Sequence, residues 1–310
     1  MSTKKQELQL LRLTTLVCLG FGVLGLLASF WARSNSLLLD GLYSLIQSLF
    51  IIGSGRVVLL LFKKDDERFP FGYGSFEPFF LTLRSVVLLT MILTIGVNAA
   101  KALAHGGYAI SVPIALPVSA FSLVVCFLVW MLLRKKAKTL ASPLLRSESK
   151  AWMLDTLLSL ASVVAILFVM LLSHLRFSFL TSYIDPALTL LFVIFLSPSL
   201  VKDIVHYSAE LLGAAPSQQV QQALEKIVNR FVRSHHFISS EVFASKRGRS
   251  LQVVIYIHLG EERPLLELDA IRLQMTKALV SYCTWCDADI IFTVDDRWMD
   301  ASSHLRIQKA

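Results

Sequence analysis

From Leu8 to Val201 the chain alternates between long apolar runs and short polar segments, whereas the residues from Lys202 onward mix the two types. A helix that crosses a bilayer needs about 20 apolar residues. The pattern therefore predicts six transmembrane helices, over residues 8–32, 36–62, 79–104, 108–133, 149–174 and 183–201.

The part of the chain from about Pro216 has the pattern of a small α+β domain. An amphipathic helix is predicted over residues 217–234, and a second helix over 265–282. Alternating apolar positions predict three strands, over residues 238–245, 250–259 and 288–294. The order helix–strand–strand–helix–strand predicts a sheet with both helices on one face. We expect a membrane domain over residues 1–207 and a separate domain over 208–310.

The composition supports the membrane interpretation and limits the function. The 310 residues are 55 % hydrophobic with a mean hydropathy of +0.63, whereas soluble domains contain roughly 45–50 % apolar residues. The net charge of +8 does not indicate nucleic acid, because many of the cations flank apolar runs. No phosphate-binding loop, nucleophile elbow or HExxH motif points to an enzyme.

The charge of the loops predicts the orientation of the helices. Basic residues concentrate in one set of loops and are scarce in the other set, which carries little beyond Arg33 and Arg176. The positive-inside rule places the basic loops, and with them both termini, in the cytoplasm. The basic loops carry Lys4, Lys5, Arg12, Lys63, Lys64, Arg68, Arg134, Lys135, Lys136 and Lys138. The compact loop after the fourth run favours a bacterial inner membrane.

Polar side chains line one face of the second apolar run. Asp40 and Gln47 lie about 20° apart around a helix axis, with Tyr43 about 60° from Asp40. Ionisable residues inside a bilayer are costly, and they usually face the interior of a bundle or water. This line is therefore a candidate functional site.

The fifth apolar run repeats the pattern, with Glu148, Asp155, Ser159 and Ser162 within about 60° of one another. If the two polar faces meet, they form an oxygen-rich site that suits a hard cation. A desolvated carboxylate without a cation tends to bind a proton. The two helices thus predict exchange of a cation against protons.

Structural roles remain open for each of these residues. Asp40 could cap its helix, and Asp155 could serve only in packing. Tyr43 and Gln47 could equally be hydrogen-bonding groups between helices. Asp185 precedes a proline and is predicted to be the N-cap of the sixth helix.

The chain resembles the cation diffusion facilitator family of divalent-metal efflux proteins. The loop DERFPFGYGSFEPF, with Pro70, Gly72 and Glu77, resembles the family's loop between spans two and three. SLLLDGLYSLIQ and SESKAWMLDTLLS resemble its metal-site helices in spans two and five. The resemblance implies six transmembrane helices, a cytosolic ferredoxin-like domain, metal/proton antiport and a homodimer.

The resemblance also implies where the metal ligands lie, and here the chain departs from the family pattern. The family's usual ligand positions, one turn apart on each helix, correspond to Tyr43 and Gln47 in span two and to Ala151 and Asp155 in span five. Of these only Asp155 is a strong ligand, and Asp40 could supply a second carboxylate. Without His or Cys, such a site is less suited to zinc. Oxygen ligands favour manganese, ferrous iron, magnesium or a monovalent ion.

The C-terminal domain has further candidate ligands. His235, His236 and His258 are available, and Cys283 and Cys286 form a CxxC pair that could bind zinc, act in redox chemistry or have no chemical role. We assign no metal ligand here and expect the domain to mediate dimerisation.

The predicted function is export of a divalent metal cation from the cytoplasm by proton antiport. The site would contain Asp155, Asp40, Tyr43 and Gln47, and the cation, whether manganese, iron, zinc or cobalt, stays open. No cofactor and no enzymatic activity are expected. The alternative is a transport-incompetent subunit that regulates a related transporter, because the family's ligand positions hold mostly weak ligands.

Overall fold

A computed structural model describes residues 3–32, 35–63, 66–107, 112–173 and 181–299. The chain divides into two compact units, residues 1–207 and 208–310. Within the described residues, six helices are long and apolar enough to cross a membrane. The fold class predicted from the sequence, six apolar helices followed by a small three-stranded domain, is confirmed.

The six apolar helices extend beyond the apolar runs that predicted them. The predictions ended the sixth helix at residue 201 and began the fifth at 149, and both bounds were wrong by a turn or more. Hydropathy identifies only the apolar part of a helix, whereas the backbone hydrogen bonds of the helix continue through polar turns at its ends. The helices are α1 (Thr3–Ala32), α2 (Asn35–Leu61), α3 (Phe76–Ala104), α4 (Val112–Thr139), α5 (Pro143–Ser173) and α6 (Thr181–Leu211).

The predicted N-cap role of Asp185 was wrong. Helix α6 begins at Thr181, so Asp185 lies inside the helix and not at its boundary. Pro186 also lies inside α6. The misleading signal was the Asp-Pro pair, which is typical of a helix start but also occurs within the first two turns.

The helices pack through two apolar clusters. The larger joins α1 to α5 and surrounds buried side chains such as Ile51, Leu81, Leu133 and Trp152. The smaller joins α3, α5 and α6 through Ile92, Leu154, Val193, Leu196 and Leu200. Large apolar side chains outside these clusters are exposed, as expected for helices that face lipid.

The second unit is a three-stranded sheet with two helices. Strands β1 (Ser239–Arg247) and β2 (Ser250–His258) are antiparallel, and β3 (Cys286–Thr293) pairs with β2 in parallel, which gives the order β1-β2-β3. The helices α7 (Gln218–Ser234) and α8 (Leu265–Tyr282) pack with the sheet in one apolar core. That core is built around Leu224, Val228, Val253, Ile255, Ile257, Met275 and Leu279.

Candidate functional site

The polar faces of α2 and α5 meet at Gln47 and Asp155. The amide Nε2 of Gln47 donates a hydrogen bond to Oδ2 of Asp155 over 3.1 Å. Both side chains are half-buried, and each lies near the middle of its membrane-spanning helix. The contact places a carboxylate of one helix against a neutral polar group of the other, as the two polar stripes predicted.

A second polar contact joins the same two helices. The hydroxyl of Ser54 donates to Oε1 of Glu148 over 2.9 Å. Ser54 follows Gln47 by seven residues, and Glu148 precedes Asp155 by seven residues. Seven residues are about two helical turns, or about 10.5 Å. The two contacts are therefore successive steps of one polar line between antiparallel helices.

Arg84 of α3 completes the second step. Its Nη1 and Nη2 donate to the two carboxylate oxygens of Glu148, with 2.7 Å between Nη2 and Oε2. The relative exposure of Arg84 is 1 % and that of Glu148 is 0 %. The third guanidinium nitrogen, Nε of Arg84, is buried and has no hydrogen-bond partner in the described structure.

Sequence reasoning did not find this ion pair. The sequence placed Glu148 on the polar stripe of Asp155 and gave no partner for it. The signal that could have found the pair is the position of the two charges along their helices. Helices α5 and α3 each place one of these opposite charges within about eight residues of the helix start. Charges buried at matching depth in neighbouring helices tend to pair, because an unpaired one is costly.

The other two predicted ligands lie on α2. Tyr43 is half-buried, one turn before Gln47. Asp40 lies in the second turn of α2, since the helix begins at Asn35, and it is therefore not the N-cap. The side chain of Asp40 falls outside the described residues, so its place in the polar line stays a prediction.

The described residues hold no ready-made cluster of strong metal ligands. Within the ranges given above, no three His, Cys, Asp or Glu side chains come together as a metal-binding group. Around Asp155 the described polar partner is the amide of Gln47, whose oxygen can coordinate a hard cation but only weakly. This donor set fits a hard cation better than zinc.

The loop before α3 is held together by its own side chains. Asp66 accepts hydrogen bonds from Lys63 and, over 2.6 Å, from the hydroxyl of Tyr73. These bonds hold the pKa of the Asp66 carboxyl well below its usual range. Gly72 has φ +78°, a conformation that favours glycine. The motif DERFPFGYG thus forms a fixed turn, and Asp66 serves to fold it.

The candidate ligands of the second unit have different surroundings. The ring of His235 stacks against Phe231 and Phe237. His258 forms a hydrogen bond between Nε2 and the carbonyl of Val294 over 3.1 Å. Cys283 follows α8 directly and Cys286 begins β3, and both are half-buried free thiols. His236 adopts a positive φ of 56° in the turn after α7.

Six apolar helices with a buried polar line between α2, α3 and α5 are the architecture of a multi-pass membrane protein. The family model for the cation efflux transmembrane domain matches residues 11–212. The chain therefore belongs to the cation efflux family, which confirms the resemblance drawn from its motifs. No curated protein matches the chain. Members of this family transport divalent metal cations and are generally not enzymes.

Proposed function

We propose that this protein exports a divalent metal cation from the cytoplasm by proton antiport and works as a homodimer. The observation that carries the proposal is the contact between Gln47 and Asp155, midway along α2 and α5. It lies within the matched cation efflux domain, at positions where the family resemblance implies ligands. Secondary transporters commonly bind their substrates near the bilayer midplane, between helices that rock around the site.

In the proposed mechanism Asp155 is the main ligand and the group that exchanges a cation for a proton. Rotation of the Gln47 side-chain amide would present its oxygen to a bound cation in place of Nε2. Tyr43 would add a neutral oxygen from the next turn, and Asp40 would add the second carboxylate. Two carboxylates neutralise a divalent cation, which lowers the cost of placing it inside the bilayer.

The orientation rests on the loop charges. The basic loops and both termini lie in the cytoplasm, and the protein resides in the inner membrane of a bacterium. Cations then enter from the cytoplasmic ends of α2, α3 and α5 and leave on the opposite side. The C-terminal unit mediates dimerisation on the cytoplasmic side.

A second candidate is a regulatory subunit that no longer transports. The observation that favours it is the direction of the hydrogen bond at the site, where Gln47 donates to the carboxylate that would otherwise bind the cation. Ala151, at the remaining ligand position, cannot coordinate a cation at all. Such a subunit would pair with a related transporter through the same surfaces.

Flux in proteoliposomes distinguishes the two candidates. Purified protein is reconstituted with a proton gradient, and uptake of manganese, iron(II), zinc, cobalt, magnesium and sodium is recorded together with lumenal pH. We expect divalent cation flux coupled to opposite proton movement. We expect Asp155→Ala to abolish both, whereas Ser159→Ala, one turn away on the same face, leaves them close to the natural rate.

Two results would overturn the proposal. Flux that is unchanged in Asp155→Ala would show that the cation does not use this carboxylate. Absence of flux for all six ions, from protein shown to be folded, would support the regulatory subunit. Co-purification with a second cation efflux protein would then be the next measurement.

A further inference from the structure

The ion pair between Arg84 and Glu148 occupies a particular place on the polar line. Glu148 lies five residues after the start of α5 and Arg84 eight residues after the start of α3. Ser54 lies seven residues before the end of α2. These three helix ends are the ends joined to the basic loops. The pair therefore lies between Asp155 and the basic-loop side of the bundle, about two turns from Asp155.

Buried apolar side chains lie on each of the three helices that carry this polar contact. Helix α2 contributes Ile51 and helix α3 contributes Leu81, both with 0 % relative exposure, and the Trp152 side chain of α5 has 1 %. These three belong to one apolar cluster shared by α1 to α5. On this side of Asp155 the ion pair thus lies among buried apolar side chains, and buried polar side chains, among them Glu77 in the first turn of α3, lie nearer the basic loops.

A buried ion pair is a poor device for stability alone. Removing two charges from water costs about as much as their attraction returns, so apolar residues of similar size often stabilise a protein as well or better. Opening the pair into water, in contrast, restores hydration to both groups. Buried pairs are therefore suited to elements that alternate between a closed and an open arrangement.

We propose that Arg84 and Glu148 form an ionic latch that closes the path from the basic-loop side to Asp155. In the closed arrangement Arg84 occupies both carboxylate oxygens of Glu148, so that a cation cannot bind them, and the buried apolar side chains around the pair exclude water. When α3 moves away from α5, the carboxylate of Glu148 is released and can contact an entering cation, with the hydroxyl of Ser54 beside it. This inference rests on the proposed transport function and adds a second, transient cation contact to it.

The latch can be tested by the accessibility of a cysteine beyond it. Ser159→Cys, one turn from Asp155 on the same face, is introduced after Cys18, Cys126, Cys283 and Cys286 are replaced by alanine. A membrane-impermeant cationic methanethiosulfonate reagent is then applied to oriented vesicles from one side at a time. We expect Arg84→Met to accelerate modification from the basic-loop side at least about tenfold and to leave the rate from the opposite side unchanged.

Three variants control this experiment. Arg56→Met removes a cation from the same end of α2, and we expect no acceleration. The charge swap Arg84→Glu with Glu148→Arg re-forms the pair, and we expect slow modification again. Arg84→Ala with Glu148→Ala removes the contact without leaving an unpaired buried charge, and it replaces Arg84→Met as the open variant if that protein does not fold.

The outcomes separate the latch from the transport proposal. Equal rates from the basic-loop side in the natural pair and in the open variant would overturn the latch, whether or not cations are transported. Acceleration from both sides would also overturn it, because it would indicate general loosening of the bundle. Acceleration from one side, combined with no cation flux, would support the latch and contradict the transport function.

Discussion

At the residue scale the distinctive feature is an amide where the family resemblance implies a strong ligand. Gln47 donates to Asp155 over 3.1 Å, so the two helices are joined without a cation. A carboxylate at position 47 would repel Asp155 until a cation bridged them. The natural pairing therefore lowers the demand for a bound ion, and with it the expected affinity for divalent metals.

Because of this pairing, a variant that binds divalent metal more tightly is the most direct test that Gln47 and Asp155 are ligand positions. We expect Gln47→Asp to strengthen divalent binding by at least about tenfold, because a second carboxylate close to Asp155 adds a charged oxygen ligand. Isothermal titration with manganese on the purified protein gives the affinity directly. The matched control is Gln47→Asn, which shortens the side chain equally but adds no charge, and we expect no gain. An equal gain in both variants would contradict the assignment.

The CxxC pair of the second unit gives a second test at this scale. Burial, followed by the nearby Cys283 and Asp287, raises the pKa of Cys286 to about 11. Because the thiolate is the reactive form, a shift from about 9 to about 11 lowers the thiolate fraction at pH 8 roughly 100-fold. We expect Cys286 of the natural chain to react with iodoacetamide far more slowly than a small free thiol, with the modified cysteine located by tandem mass spectrometry.

The rate should rise steeply between about pH 9 and pH 11, because the thiolate forms only as the pH approaches the raised pKa. Unfolding in denaturant should restore ordinary reactivity at pH 8. Fast alkylation of the folded protein at pH 8 would contradict this environment and would favour a redox role for the pair.

At the element scale, the sequence predicted helices and their polar faces but not all of their partners. A seven-residue spacing on α2 and on α5 sufficed to predict that Gln47 and Asp155 share an inner surface. The partner of Glu148 was not predictable in the same way, because helical periodicity gives a direction around one axis and not the depth of a neighbouring helix. The three strands of the second unit were predictable because successive side chains of a strand point to opposite faces, so that a half-buried strand shows alternating apolar residues.

Helix packing offers its own prediction at Gly96, where α3 approaches α6. A Cβ at this position would lie 2.8 Å from Cγ1 of Val193, whose branched side chain has little rotamer freedom. We expect Gly96→Ala to destabilise the membrane unit by about 1–3 kcal/mol, as overpacking does elsewhere. Thermal unfolding in detergent, followed by tryptophan fluorescence, measures the change.

Two variants define the cause of that loss. Gly20→Ala is the matched control, because no atom lies within 4 Å of a Cβ at that position in α1. It should be neutral or slightly stabilising. Adding Val193→Ala to Gly96→Ala should recover part of the stability, since neighbouring substitutions that share a contact are not additive. No recovery would place the strain elsewhere.

At the scale of the whole molecule, the chain consists of two units that place their apolar side chains differently. The first unit exposes large apolar side chains along its helices, and the second unit has its own apolar core between two helices and a sheet. The composition of each part predicted this contrast, because only residues before 202 contain runs long enough to span a bilayer.

The proposed dimerisation through the second unit gives a prediction at the scale of the whole molecule. If that unit holds the copies together, a chain that ends at Tyr207 should be a monomer, while the full chain is a dimer at the same concentration. Light scattering coupled to size-exclusion chromatography, with correction for bound detergent, gives both masses. A full-length Gly213→Ala variant serves as a control, because Gly213 has φ +79° after α6 and alanine strains the backbone there without removing any part of the second unit. If the shortened chain remained a dimer, the membrane helices would form the interface, and the second unit would have a role other than dimerisation.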